Sequence, residues 1–191
     1  VAADICTDIS TLSFPPETID EIRLHHVFEH FSRSKALALL IRWHAWLKMG
    51  GLLHLETPDM EGSVKSLSKE LPYQTRQAIL RHVFGSQEAD WAYHLDGWDK
   101  DKYCQILSLF GFSVGCENVQ WNAEPWLSNV HAFATKRNQI AYDDLLKIAD
   151  GILLDSIVAN VPAELKMHRV WCRMLRDELA RCAATDQVAS G

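Results

Sequence analysis

DEIRLHHVFEHFSRSKALALLIRWHAWLKMGGLLHLETPD, the run from Asp20 to Asp59, decides the fold. Ile22 and Leu24 alternate with Arg23 and His25, which is the period of a half-buried strand. The chain then passes through His26-Val27-Phe28-Glu29-His30-Phe31 to Ser32 and Ser34, either of which can cap a helix. From Lys35 to Lys48, residues Leu37, Leu40, Ile41 and Leu47 recur at helical spacing. Ala36, Trp43 and Trp46 widen that stripe, and Arg42 falls on the polar side. Lys48 suits the negative end of the helix dipole, and Gly50 can adopt the left-handed conformation that ends a helix. A new strand is therefore predicted from Leu52 to Thr57, stopped by Pro58. Strand, helix, strand in this order is a right-handed crossover, and open α/β sheets bind ligands beyond the carboxyl ends of such strands. Here those ends are His25 to His30 and Thr57 to Glu61. Gly50 is the first glycine in the chain, so no glycine-rich phosphate turn precedes this unit.

Downstream, Glu61 to Glu70 and Tyr73 to Phe84 read as two short helices separated by Pro72. A loop from Gly85 to Trp98 follows, rich in Trp91, Tyr93, His94, Asp96 and Trp98. Asp99 caps a helix on which Tyr103, Ile106, Leu107 and Phe110 share a face, and Gly111 ends it. Phe112 to Trp121 and Leu127 to Lys136 form two strands around the turn Asn122-Ala123-Glu124-Pro125. These elements make residues 1–136 one α/β domain, and residues 137–191 read as a helical extension. In it Tyr142, Leu145, Ala149 and Ile152 form one stripe, and Leu165, His168, Cys172, Leu175, Leu179 and Cys182 alternate steps of three and four. That second stripe is read as a helix packed on its own domain rather than as a dimer seam.

At 191 residues and 48% hydrophobic content the chain can bury one sizeable core, and seven tryptophans make that core aromatic. A net charge of −6 leaves no basic footprint for nucleic acid, and Arg169, Arg173, Arg176 and Arg181 are interleaved with Asp177 and Glu178. No apolar run approaches membrane-spanning length, so no membrane partner is expected. The five cysteines are scattered and contain no CxxC pair, which argues for free, mostly buried thiols, excludes a zinc ribbon and makes the cytoplasm the default compartment.

Five segments, in order and spacing, resemble the class I S-adenosylmethionine-dependent methyltransferases: DISTLSF (Asp8 to Phe14), the strand opening at Asp20 and Ile22, HVFEHF (His26 to Phe31), LKMGGLLHLETPD (Leu47 to Asp59) and HLDGWDKDKYCQILSLFGF (His94 to Phe112). The resemblance covers about the first 136 residues. It implies a Rossmann-like mixed sheet closed by an antiparallel hairpin, S-adenosylmethionine as cofactor, and methyl transfer to a small-molecule, sugar or lipid-type acceptor. It also implies that Asp8 accepts a hydrogen bond from the adenine amino group beside the Ile9 backbone. Leu24 and His25 would line the methionine part. The insertion over the pocket would offer Pro58, Asp59, Tyr93, His94 and Trp98 to the acceptor, although the same aromatics could simply close the edge of the core. The glycine-rich turn and the ribose-holding acidic residue of that family have no counterpart in this sequence. Truncation at the amino terminus and loss of the cofactor half both account for this, and a non-catalytic interaction module is the alternative function.

His26, Glu29 and His30 are the candidate catalytic groups, because methyl transfer asks chiefly for alignment and one proton acceptor. Glu29 could orient an imidazole, or the Glu29–His30 pair could only tie the turn to the next helix. His26-Val27-Phe28-Glu29-His30 also matches the HxxEH zinc-peptidase pattern. That pattern needs a helix and here straddles a strand end, so no metal is expected from it. The absence of a preceding strand leaves Asp20 to His25 at a sheet edge, with an apolar patch expected around Ile22, Leu24, Leu53 and Leu55 and a homodimer or larger assembly joined there.

Overall fold

The computed structural model describes residues 4–189, with side chains to residue 181. Strand β1 (Ile19–His25) is followed by helix α1 (Arg33–Trp46) and strand β2 (Leu47–Pro58). Helices α2 (Met60–Leu67), α3 (Tyr73–Phe84) and α4 (Lys100–Leu109) precede strands β3 (Phe112–Gln120) and β4 (Ser128–Lys136). Two helices, α5 (Tyr142–Leu154) and α6 (Pro162–Ala189), complete the chain. The four strands form one mixed sheet in the order β1-β2-β4-β3. β1 and β2 run parallel, as a crossover requires, while β4 is antiparallel to both β2 and β3. The expected α/β class is therefore present.

Ser32 caps α1 by accepting from the Lys35 amide, as its position suggests. The other end of α1 departs from expectation. The helix stops at Trp46, and Gly50, at φ 80°, does not end it but sits inside β2. There Ile19 pairs with Leu47 while Glu21 already pairs with Leu52, so β2 bulges around the glycine. The reason lies in the last carbonyls of α1, which find partners from other elements. The Glu17 and Thr18 amides donate to Ala45 O (3.0 Å) and Trp46 O (2.9 Å). Lys136, fully buried, donates Nζ to His44 O at 2.7 Å and to Leu47 O at 2.8 Å. A lysine from β4 thus ends the helix that β1 and β2 flank.

The sheet is covered on one face. Leu24, Leu53, Leu55, Val130, Ala132 and Ala134 are buried in the main core with α1. This corrects the expected apolar patch: Leu24, Leu53 and Leu55 alternate onto the covered face and Ile22 is only partly exposed. The residues out of phase with them, Leu52 and Phe133, are 46% and 45% exposed on the open face. α5 and α6 pack against α1 through Leu145, Ala149, Leu153, Leu175 and Leu179. Ser34 Oγ donates to Trp171 O (3.1 Å), and the Arg33 guanidinium lies 4.6 Å from the Trp171 ring centroid. The second stripe therefore does pack on its own domain. The thiols differ from expectation, since Cys6 is exposed and Cys104, Cys116 and Cys172 are only partly buried; all four are free, and the Cys182 side chain lies outside the described residues. No helix among the described residues is long and apolar enough to cross a membrane.

Two stability predictions come from the end of α1. Lys136→Met leaves two carbonyls without their donor and should lower unfolding free energy by about 2 kcal/mol in denaturant titration. His44 is fully buried, with Nε2–H donating to Asn138 O at 3.0 Å and Nδ1 unpartnered. Burial, reinforced by the nearby Lys136 charge and opposed by the Asn138 contact, holds its pKa below the ordinary 6.5. A depressed imidazole pKa contributes stability that is full above the unfolded value and lost as pH falls through the folded one. Stability should accordingly drop as pH falls below about 6.5, and His44→Gln, which keeps the donor but cannot titrate, should flatten that slope.

Candidate functional site

β1 does not run on into a helix. The His26 amide donates to Glu56 O (2.9 Å), and His26 then adopts φ 51°, which turns the chain out of the sheet. A single 3-10 turn follows at Phe28–His30. Phe28, fully buried, anchors this turn in an aromatic nest with Trp43 (ring centroids 5.6 Å) and Trp98 (4.7 Å). The HxxEH pattern accordingly does not place His26 and His30 on one helical face.

With Phe28 pinned inward, Glu29 is drawn in beside it and is only 2% exposed. Its backbone carbonyl accepts from the Leu95 (2.8 Å) and Asp96 (3.3 Å) amides, which ties the loop after α3 to the turn after β1. Gly85, at φ 84°, lets that loop close, because a Cβ there would stand 2.1 Å from Ala92 O. The tie brings His94 to Glu29, with Nε2 3.9 Å from Oε1. On the other side His26 Nδ1 lies 3.3 Å from the same oxygen.

A second carboxylate anchors the neighbouring strands. Cross-strand register sets His25, Glu56 and His131 in one row over β1, β2 and β4. Glu56 Oε2 contacts His25 Nδ1, and Oε1 accepts from Asn129 Nδ2 (2.7 Å) with His131 Nε2 at 3.3 Å and His26 Nε2 at 3.5 Å. Asn129 Nδ2 also lies 3.0 Å from His26 Nε2, and Trp121 Nε1 donates to Asn129 Oδ1 at 3.1 Å. Burial pushes the Glu56 carboxyl up, but His25, Asn129, His131 and His26 outweigh it and hold it below its usual range.

The two histidines flanking Glu29 are driven apart. The hydrogen bond to Glu29 raises the pKa of His26 above its ordinary value, against burial and with help from the charges of Glu29 and Glu56. Burial lowers that of His94, opposed by Glu29 and assisted by His30. Neighbouring groups whose protonation preferences diverge in this way suit opposite roles in proton transfer, one holding a proton and one ready to accept it.

The site-residue expectations divide accordingly. His26, Glu29, His30 and His94 come together at the carboxyl end of β1, with His25 beside them on Glu56. Tyr93, 43% exposed, holds His30 through its carbonyl, which accepts from Nδ1 at 3.0 Å. Pro58 lines a small pocket with Glu29, Met60, Ser63 and His94. Trp98, 2% exposed and stacked on Tyr103, belongs to the core and offers no surface to an acceptor. Asp59 is likewise buried, accepting from Asn118 Nδ2 (2.6 Å) and Ser128 Oγ (3.0 Å). Leu24 is buried in the core. Asp8 and Ile9 sit apart from the histidines in a 3-10 turn, where Asp8 Oδ1 accepts from Ser10 N (2.8 Å) and Oγ (2.7 Å). Glu56, Asn129 and His131 carry the second half of the site without having been singled out for it. The signal available was alternation, since Glu56 and His131 are polar residues at the carboxyl and amino ends of strands that lie side by side.

Neither a scan against protein-family models nor a search of curated proteins returned a match.

An NMR titration of the imidazoles checks the electrostatics. Glu29→Gln should bring the His26 pKa down toward its ordinary value, and Glu56→Gln should bring it down less, because Glu29 supplies the principal hydrogen bond. An unmoved His26 in Glu29→Gln would contradict the arrangement.

Proposed function

We propose that this chain carries the acceptor side of an S-adenosylmethionine-dependent methyltransferase acting on a small-molecule, sugar or lipid-type nucleophile. The observation that carries the proposal is a parallel β1–β2 crossover closed by an antiparallel hairpin, with paired carboxylates and histidines at the carboxyl end of the parallel strands. Such ends are where open α/β sheets take their ligands. A groove of about 390 Å³ between α3 and the β3–β4 turn, lined by residues including Arg81, Trp121 and Trp126, offers room for an organic acceptor beside this end. Trp121 links it through Asn129 to Glu56.

The described residues fit one end of the cofactor. Asp8 Oδ1 is held by Ser10, and the carboxylate remains exposed, able to accept from an adenine amino group through Oδ2. The first glycine is Gly50, so no backbone cradle for the methionine and ribose parts exists upstream in these residues. When bound, the cofactor supplies an electrophilic methyl group. The chain's own part is to place the nucleophile and take its proton. His94, kept neutral by burial, is the acceptor of that proton, and Glu29 stabilises the imidazolium that results. His26 already holds its proton against Glu29 and positions the carboxylate.

Calorimetry tests this reading. The chain should bind S-adenosylmethionine no tighter than about millimolar, roughly 4 kcal/mol. That binding should weaken about tenfold in Asp8→Ala, which removes the adenine contact. No detectable binding at millimolar cofactor, or binding that ignores Asp8→Ala, would overturn it.

A further inference from the structure

Glu29 is the buried carboxylate of this site. Its carboxylate is 2% exposed, and Oε2 has no hydrogen-bond partner among the described residues. Buried carboxylates are ordinarily paired or bound to a metal, because an unpartnered charged oxygen in the interior loses its hydration without compensation. The groups that face it explain what it is built for. One possible ligand atom from each of Glu29, His30 and His94 lies within 4.8 Å of those from the other two. The His30 and His94 rings stand edge to face, with centroids 4.8 Å apart.

The two rings are also held in the way that ligand histidines are held. His30 Nδ1 lies 3.0 Å from Tyr93 O, and His94 Nδ1 lies 3.2 Å from Val83 O. A carbonyl can only accept, so Nδ1 carries the proton in each neutral ring and the lone pair is on Nε2. Backbone carbonyls acting on the far nitrogen fix tautomer and orientation in metal sites. Glu29 is steadied in turn by His26 Nδ1 on Oε1, at 3.3 Å, which leaves Oε2 for another partner. The backbone that carries these groups is itself fastened: Leu95 and Asp96 donate to Glu29 O, and His94 N donates to Phe84 O at 3.2 Å.

We propose that Glu29, His30 and His94 form a three-ligand site for a zinc-class divalent cation. The inference does not rest on the methyl-transfer reading and replaces its proton acceptor: with an ion bound, the His94 Nε2 lone pair belongs to the ligand set, and a hydroxide on the ion would take the acceptor's proton. Two imidazoles and one carboxylate make a nitrogen-rich donor set of intermediate softness, which favours zinc or cobalt over magnesium or calcium. Closure around an ion with bonds of about 2.1 Å requires the donor atoms to draw together from their present spacing, a movement of side-chain torsions rather than of the sheet. Three protein ligands leave a fourth position for water or substrate, which is the pattern of catalytic rather than structural zinc. That position opens toward the small pocket lined by Pro58, Met60 and Ser63. A water held there would lose its proton near neutral pH, and the ion would equally polarise a hydroxyl of an acceptor. The ligands differ from the HxxEH pair in a definite way: His30 is used, but its partner is His94, 64 positions downstream, while His26 supports the carboxylate instead of binding the ion.

The test uses the untagged chain, stripped with chelator and titrated with Zn²⁺ by calorimetry and with Co²⁺ by visible absorption. One equivalent should bind at micromolar or tighter, Co²⁺ should give the intense bands of a four- or five-coordinate site, and Zn²⁺ should raise the melting temperature. His94→Ala and His30→Ala should each weaken binding by at least a hundredfold, and Glu29→Gln by at least tenfold. His94→Cys, which replaces one ligand by another, should retain cobalt binding with an added thiolate charge-transfer band, so a simple folding defect in the alanine variants cannot mimic the result. His168→Ala, on α6 against Asp150 O, should leave the affinity within threefold. No binding below millimolar concentration, or binding lost in His131→Ala and kept in His94→Ala, would overturn the assignment, the latter by moving the ion to the Glu56 cluster.

Discussion

Helix α1 is buried on nearly every side, and the rest of the architecture is arranged to cover it. Ala36, Leu37, Ala38, Leu39, Leu40, Ile41, Trp43 and Trp46 are all buried, the most open of them at 7%, which is more than one amphipathic face can account for. A helix apolar all round has to be enclosed by other elements. The sheet encloses one side through Leu24, Leu53 and Leu55, and α5 and α6 enclose the other through Leu145, Ala149, Leu175 and Leu179. The carboxyl-terminal helices therefore complete the core, and the opposite face of the sheet is what remains open.

Because α1 connects β1 to β2, enclosing it also fixes the parallel pairing that aligns Leu24 with Leu55 and His25 with Glu56. Chemistry at the strand ends is thus registered by packing far from it. Lys136 acts at the opposite end of the same crossover: one buried ammonium satisfies carbonyls on either side of the α1–β2 junction. Placing that charge in the interior is costly, and the two carbonyls that would otherwise be left without partners offset it.

The strand-helix-strand unit, the two helices after it and the closing hairpin were legible in the sequence because each has a period and a punctuating residue, as Ser32, Pro72, Asp99 and Gly111 do. The end of α1 was not, because Lys136 and the Glu17–Thr18 amides reach it from outside its own sequence. Gly50 was read as a helix stop when a bulge used the same positive φ. At the site, His26, Glu29 and His30 stood out as one short motif, and His94 through its aromatic loop. Glu56, Asn129 and His131 did not, since what makes them a cluster is register between strands, and a single sequence does not state which strands are neighbours. Trp98 and Asp59 were misplaced for the converse reason. A polar or aromatic residue beside a candidate pocket can equally well be a buried member of the wall.

The site is assembled from segments of unequal firmness, and that bears on how it would work. Glu29 and Glu56 are fixed by the core turn at Phe28 and by the sheet. His94 is delivered by a loop whose side chains at Trp91, Tyr93 and Leu95 are 70%, 43% and 59% exposed, with Ala92 and Trp98 as its buried anchors. Segments with few buried contacts open at lower free energy than the sheet they lie against. The amides of Leu95 and Asp96 on Glu29 O are then the fastening, and releasing them would withdraw His94 while leaving β1, β2 and their carboxylates in place. Any ligand that engages His94 together with Glu29 stabilises the fastened loop by an amount set by its concentration relative to its Kd, so occupancy of the site and closure of the loop are thermodynamically linked.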